Sequence, residues 1–202
     1  MGIYSIKPRF QQVLRTVERP LVRWHVHPDV LTLSALGLSF LGGFALFASR
    51  WTPWTLLAVP FLALLRISLN ALDGMVAKDL GVARPWGEVL NELCDRLADI
   101  AFFVGLALVP GVNIPLAISV LVLMVITSYV GILSKAAGAS REFGGIMGKA
   151  DRMILLAVAS ILALILPNLP VFNSFLVLVL AGLAATLIQR LRRTYVALKS
   201  HR

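Results

Sequence analysis

Apolar residues in this chain fall in long runs of similar length, separated by short polar breaks. Six such runs, near 30–49, 53–77, 87–109, 113–136, 149–167 and 171–191, each approach the roughly 20 residues an α-helix needs to cross a bilayer. Strands of a membrane barrel would be shorter and would alternate apolar with polar positions. The pattern therefore predicts an all-α, polytopic membrane protein with six transmembrane helices. Ahead of the first run, Ile3, Ile6, Phe10, Val13, Leu14, Val17 and Leu21 recur at helical spacing with Lys7, Arg9, Arg15, Arg19 and Arg23 among them. That combination predicts an amphipathic helix lying in the headgroup region, kinked or ended by Pro20 and followed by Trp24, His25 and His27 at interface level.

The breaks are of two kinds. "SRWTP", "PGVNIP" and "PNLPVFN" are short and nearly uncharged, whereas "AKDLGVARPWG" and "KAAGASREFGGIMGKADR" are polar, basic and glycine-containing. Sixteen Lys and Arg fall in the N-terminal segment, the two polar connectors and the C-terminal tail. Arg50 alone lies on the other side, and Arg66 and Arg96 fall within helices. Such an asymmetry places both termini and both polar connectors in the cytoplasm and the chain in the cell inner (plasma) membrane. The expected organisation is an interfacial segment at 1–27, the six-helix unit at 28–195 and a basic tail at 196–202.

Composition supports this reading. The 202 residues are 58% hydrophobic and 14% charged, against roughly a quarter charged in a soluble domain. The net charge of +9 then reflects contact with anionic membrane lipids, not with nucleic acid. One cysteine, Cys94, excludes an internal disulfide framework and a zinc cluster and is expected as a small buried thiol.

Charge changes the picture most between Asn70 and Asp99, where Asp73, Asp79, Glu88, Glu92, Asp95 and Asp99 make up most of the chain's ten acidic residues. Asn70 and Asp73 are three apart near the end of the second run and share a helix face. Asn91, Asp95 and Asp99 recur every four residues, so they share another, with Asp99 about 12 Å along the axis from Asn91. Carboxylates at that depth normally face a bundle interior or an aqueous cavity. Oxygen ligands converging from two helices suit a hard cation, Mg2+ or Mn2+, and Gly74 and Gly87 leave space for a bulky ligand beside it. Each acid taken singly also fits an interfacial charge or an ion pair, and Asp79 and Glu88 are expected as solvated or paired charges.

The spacing Asn70-x2-Asp73-Gly74-x2-Ala77-Lys78-x8-Gly87-x3-Asn91-x3-Asp95 resembles the signature of the CDP-alcohol phosphotransferase family, D-x2-D-G-x2-A-R-x8-G-x3-D-x3-D. "HPDVLT" near the start is similar to the family's P-N-x-L-T, and six helices with an interfacial N-terminal helix complete a resemblance that covers most of the chain. It implies transfer of a phosphoalcohol group from a CDP-alcohol, often CDP-diacylglycerol, to a small hydroxyl acceptor with release of CMP. In the family four Asp hold two divalent metals on the pyrophosphate, and the fourth is assigned as the base. Carried over by position, Asp73 is a metal ligand and Asp95 the base or a ligand. Gly74, Ala77 and Gly87 shape the cytidine pocket, and Lys78 stands near the nucleotide phosphates. The resemblance also implies a homodimer, for which Gly37, Gly42, Gly43, Gly182, Ala184 and Ala185 could allow close helix contact.

Three positions depart from the signature. Lys78 replaces an Arg and lacks its bidentate fork. Asn70 and Asn91 replace Asp, each keeping a carbonyl oxygen and losing a charge. Either the site binds metal weakly, or it holds one metal, or Asp99 joins Asp73 and Asp95 in an acidic set shifted one turn inward. A bacterial branch of the family with similar N-x2-D-G and L-N-E-x2-D-x3-D patterns points to a coherent variant site.

The second polar connector adds cations. Arg141, Lys149 and Arg152 flank glycines at the approach to a helix N-terminus, a setting that suits a phosphate-bearing acceptor such as glycerol phosphate or inositol phosphate. Ordinary positive-inside charge is the competing explanation. Lys149 follows a glycine in a setting that resembles the family's G-K near the acceptor pocket. Two other classes remain open: a small transporter using the same intramembrane acids, and an inactive relative kept as a binding subunit. Nearly uncharged outer connectors argue against the transporter, and release of CMP separates the enzyme from both.

Overall fold

The computed structural model describes residues 7–200, with side chains from 12 to 199. Ile3 and Ile6 lie outside the described residues, as do the side chains of Lys7, Arg9 and Phe10. The described chain is all-helical: α1 (Lys7–Arg23), α2 (Pro28–Ala48), α3 (Ala58–Asp79), α4 (Pro85–Ala107), α5 (Ile114–Ala136), α6 (Lys149–Ile165) and α7 (Val171–Ser200), with a 3-10 helix at Pro53–Leu57 leading into α3.

Helix ends follow from local chemistry. Pro28 and Pro85 open α2 and α4, where a missing N–H costs nothing. The Asn113 side chain accepts from Leu116 N–H at 2.9 Å to cap α5. At the close of α3, Gly81 takes φ +67°, Val82 N–H donates to Ala77 C=O and Gly81 N–H to Lys78 C=O. The close of α5 repeats this at Gly138 (φ +93°), with Ala139 bonded to Ser134 and Gly138 to Lys135. Both are paired-bond C-caps that need a residue free to adopt positive φ, so each polar connector begins on a glycine.

Pro20 does not end α1, which continues to Arg23. Helix α7 continues to Ser200, through most of the segment expected as a basic tail.

Four elements are long and apolar enough to cross a membrane: Pro28–Ala48, Pro53–Asp79, Ile114–Ala136 and Val171–Lys199. The other two predicted spans miss for identifiable reasons. The window of α4 contains Glu88, Glu92, Asp95, Arg96 and Asp99, and α6 has only 17 residues.

Helix α2 lies along both α3 and α4, α5 lies along α7, and α6 joins α3 to α7. The α2–α4 crossing is tight because it is built on small residues. A Cβ added at Gly43 would stand 2.2 Å from Ala101 O, and one at Gly105 would stand 2.1 Å from Gly43 O. Gly42 lies against the Phe102 ring and Gly182 against Met147. Those glycines, expected at an interface between copies, are used inside the chain; Gly37 has open space beside it and Ala184 is exposed. The main core joins Val59, Phe102, Leu106, Val120, Met153 and Leu176 from the five helices α3 to α7. A second cluster of Leu14, Leu31, Leu72 and Val76 docks α1 onto α2 and α3 beside the acidic window.

Candidate active site

The site lies where the end of α3 faces the first half of α4. An ion pair between Arg84 and Asp29 ties the start of α4 to the start of α2. From α3 come Asn70 and Asp73; from α4 come Asn91, Asp95 and Asp99; α2 adds Thr32, and α6 adds Lys149 and Arg152.

Asp73 is buried, 4% exposed. Its Oδ2 accepts from Thr32 Oγ1 at 2.8 Å. Its Oδ1 has no partner of hydrogen-bonding geometry, although the Gly74 backbone lies near the carboxylate. Asp95 accepts at one oxygen, Oδ1, from two donors: Asn70 Nδ2 at 3.1 Å and the Lys149 ammonium. Asp73 lies within electrostatic reach of both Asp95 and Lys149. Asn91 presents a buried Oδ1 that also has no partner. A buried acceptor oxygen without a donor is costly unless something positive meets it. Two of them in one window, on Asp73 and Asn91, are what a hard cation would take.

Among the described residues no three His, Cys, Asp or Glu side chains converge as a metal cluster. Asn70 and Asn91 each supply a neutral oxygen where the signature has an acid.

Asp99 sits one helical turn deeper and is 1% exposed. Its Oδ1 accepts from Arg66 Nη2 at 2.7 Å and its Oδ2 from Arg152 Nη2 at 2.9 Å, with Arg96 at 3.7 Å. Arg66 also donates to Asp95 C=O at 3.3 Å. Both carboxylate oxygens are thus committed to guanidinium groups. In this structure the Asp99 carboxylate is answered by arginines from α3 and α6. By the same contacts Arg152, buried at 3%, faces the protein interior and not an incoming acceptor.

Above the acids, Gly74 is exposed and a Cβ there would meet nothing within 4 Å; at Gly87 it would meet only Arg84 Cγ at 3.7 Å. Ala77 is half-buried and Lys78 exposed on the same stretch of α3. The three cations of the second connector are not gathered on one point. Lys149 meets Asp95, Arg152 meets Asp99, and Arg141 pairs with Glu92, reaches Glu88 at 3.5 Å and lies 4.2 Å from the Phe143 ring. Glu88, expected as a paired or solvated charge, is held by Lys135 at 2.6 Å.

Three residues that sequence reasoning left without a role prove central. Arg66 and Arg96 stood inside apolar runs, which is itself a signal that something buried answers them. Thr32 closes the "HPDVLT" stretch and reaches Asp73 from 41 residues away.

Comparison with known proteins shows the family. The family described as CDP-alcohol phosphatidyltransferase matches residues 25–189. The chain belongs to that family. Among curated relatives, the Escherichia coli (strain K12) inner membrane protein YnbA is 34% identical over 176 residues, 87% of each chain. The phosphatidylinositol phosphate synthase of Cutibacterium acnes is 32% identical over 154 residues, 73% of this chain and 72% of the relative. The crystal structure of Mycobacterium tuberculosis phosphatidylinositol phosphate synthase with CDP-DAG bound shares the fold at a TM-score of 0.76 and 24% identity, covering 91% of this chain and 94% of that one. A second crystal structure of that synthase, in complex with manganese and citrate, superposes at a TM-score of 0.75. As a member of the family the chain is a membrane transferase of phospholipid synthesis that works on CDP-alcohols. The Asp73-Gly74 and Asp95 positions fall inside the matched region, and so do both Asn substitutions.

Proposed function

We propose that this phosphatidyltransferase moves the phosphatidyl group of CDP-diacylglycerol to the hydroxyl of a small phosphorylated polyol, such as inositol phosphate, and releases CMP. The observation that carries this reading is the pair of unpartnered buried oxygens on Asp73 and Asn91 beside the open space at Gly74. The donor is the one bound in the related synthase structure, and the acceptor is chosen to match the phosphatidylinositol phosphate for which the related synthases are named.

Asp73 and Asn91 would hold a divalent cation, Mg2+ or Mn2+, which when bound supplies charge neutralisation at the leaving phosphate. Thr32 fixes the Asp73 carboxylate so that Oδ1 stays turned away from the hydroxyl. Gly74, Ala77 and Gly87 leave room for cytidine, with exposed Lys78 at the rim. Asp95 takes the acceptor proton on Oδ2, since Oδ1 is held by Asn70 and Lys149. The acceptor oxygen then bonds to the lipid-side phosphorus as the bond from that phosphorus to the CMP oxygen breaks. Arg141 and Lys135, joined to Glu88 and Glu92 at the mouth of α4 and α5, are placed to exchange those carboxylates for an acceptor phosphate.

We also infer that α4 and α6 cross the membrane, making six spans with the site on the cytoplasmic face. Leu93, Leu97, Ile100 and Val104 on α4, and Ile154, Val158, Ile161 and Ile165 on α6, face outward while Asp95 and Asp99 on α4 and Arg152 on α6 are buried. That is the distribution a lipid-surrounded helix requires.

The test is CMP release by purified chain in lipid, with CDP-diacylglycerol, Mn2+ or Mg2+, and inositol phosphate, glycerol phosphate, inositol, glycerol or serine. Release is expected with a phosphorylated polyol and should fall by roughly 10²–10⁴-fold in Asp95→Asn, the range for loss of a positioned base. Nucleotide binding without CMP from any acceptor would favour an inactive relative, a reading the two Asn substitutions support.

A further inference from the structure

Side chains of α4 and α6 meet in two ion pairs, one turn apart, that form two rungs. Asp95 and Asp99 are four apart on α4; Lys149 and Arg152 are three apart on α6, so each pair shares a face. On the lower rung Arg152 meets Asp99, which Arg66 also holds. On the upper rung Lys149 meets Asp95. The lower rung is sealed at 1% exposure of the carboxylate, whereas the upper one borders the site, with Lys149 and Asp95 side chains 26% and 10% exposed.

Oxygen bookkeeping on the upper rung is restrictive. A carboxylate oxygen has two lone pairs in its plane. At Asp95 Oδ1 these face the Lys149 ammonium and the Asn70 amide N–H. The orientation of Asn70 is set by this contact, because the flipped amide would place its oxygen against a carboxylate oxygen. Asn70 therefore enters the site as a donor, where an acid would be an acceptor. A divalent ion on Asp95 Oδ1 would have to displace the ammonium and would then stand beside it at like charge. Asp73 Oδ1 and Asn91 Oδ1 carry no such obstruction: both are buried and unpartnered, and Asp73 is 4% exposed. Asn70 and one oxygen of Asp95 are therefore taken up by the lysine contact, while Asp73 Oδ1 and Asn91 Oδ1 stay open for a cation.

We propose that Lys149 supplies the second positive centre of this site from within the protein, so that the chain binds one divalent cation, on Asp73 and Asn91, and not two. The inference rests on the assignment of this window as a metal-dependent transferase site. It explains why both Asn substitutions occur together. With the Lys149 ammonium and one divalent cation present, Asp73 and Asp95 leave the site at +1, ready for an anionic donor, whereas acids at both Asn positions as well would leave it at −1. Lys149 suits the part because it is the first residue of α6, where the helix N-terminus also turns its positive end toward the site.

The test counts bound metal and does not depend on turnover. Metal-stripped full-length protein in detergent is dialysed against Mn2+, with and without cytidine diphosphate. Bound manganese is measured by elemental analysis and by electron paramagnetic resonance. One Mn2+ per chain, with the spectrum of an isolated ion, is expected in both cases. Two per chain with a spin-coupled spectrum would overturn the proposal and leave the transferase assignment standing. No bound Mn2+ would overturn the metal assignment itself, and the proposal with it. A second arm uses Asn70→Asp, Asn91→Asp and Lys149→Met combined, which should take two coupled Mn2+. A folded triple variant, judged by an unchanged melting profile, that still binds one ion would remove Lys149 from the account.

Discussion

Replacing Asp99 by Asn keeps the shape of the side chain and removes one charge from the most enclosed ion cluster in the described chain. Arg66 is fully buried and Arg152 nearly so, and each donates to a different Asp99 oxygen at 2.7 and 2.9 Å. After the change two guanidinium groups share a neutral amide, which can accept at one oxygen only. Removing one member of a buried pair costs about 3–5 kcal/mol. The two pairs share one residue and do not add, so a loss near the upper end of that range is expected. For a chain of this size that corresponds to a melting point lower by about 10–15 °C. The chain carries its own reporter in Cys94, its one cysteine, 5% exposed in the fold. A thiol-reactive fluorogenic dye should label it only as the helices separate. Melting is followed in detergent with chelator present, so that any effect through bound metal is absent. Asp99→Asn is expected to melt far below the unmodified chain, and Arg66→Met in that background should recover part of the loss by removing one unanswered charge. Equal melting points for Asp99→Asn and the unmodified chain in chelator would refute the counter-ion role. A loss seen only when metal is supplied would make Asp99 a ligand instead.

The same labelling assay tests the α2–α4 crossing: Gly105→Ala places a Cβ about where Gly43 C=O now stands and should cost about 1–3 kcal/mol or more as the backbones separate. Gly37→Ala, with nothing within 4 Å of its added methyl, should leave melting unchanged or raise it slightly. Gly74→Ala should separate stability from binding. Its methyl meets no protein atom and a helical alanine should add up to about 1 kcal/mol, yet cytidine diphosphate affinity measured by calorimetry should fall if the nucleotide lies against α3. Undiminished affinity would place the nucleotide elsewhere.

The helices were legible because their boundaries are written in local chemistry. Proline opens α2 and α4, glycine closes α3 and α5, and these signals act within a few residues of each other. Asp73 and Asp95 were legible for a different reason: the spacing of the motif reports two helix faces directly. What the chain did not disclose is which charges cancel. Arg66 and Asp99 are 33 residues apart and Arg152 and Asp99 are 53 apart, and nothing local links them until α3, α4 and α6 come together. Arg141, Lys149 and Arg152 therefore looked alike as connector cations. Packing sends one to a pair of surface glutamates, one to the site acid and one to the interior. Asp99 looked like a ligand for the same reason, since periodicity shows that a residue faces inward but not what waits there.

The resulting charge balance explains how a site with few acids can serve an anionic donor. Arg66, Arg96, Lys149 and Arg152 contribute four positive charges around Asp73, Asp95 and Asp99, which contribute three negative ones. Charges removed from water are tolerated when they are paired, and Asp99 is paired twice over. The excess sits on the lower rung, where three guanidinium groups face Asp99, while Asp73, Asp95 and Lys149 on the upper rung sum to −1. A divalent cation bound on the upper rung turns that −1 into +1, and an anion relieves it. A pyrophosphate is such an anion. Metal and nucleotide should accordingly bind with mutual reinforcement, each supplying the charge the other lacks. The fixed cations of α3 and α6 offset Asp95 and Asp99, so that Asp73 is the one acid of the site left for the metal to answer and the metal–nucleotide pair meets little opposing charge.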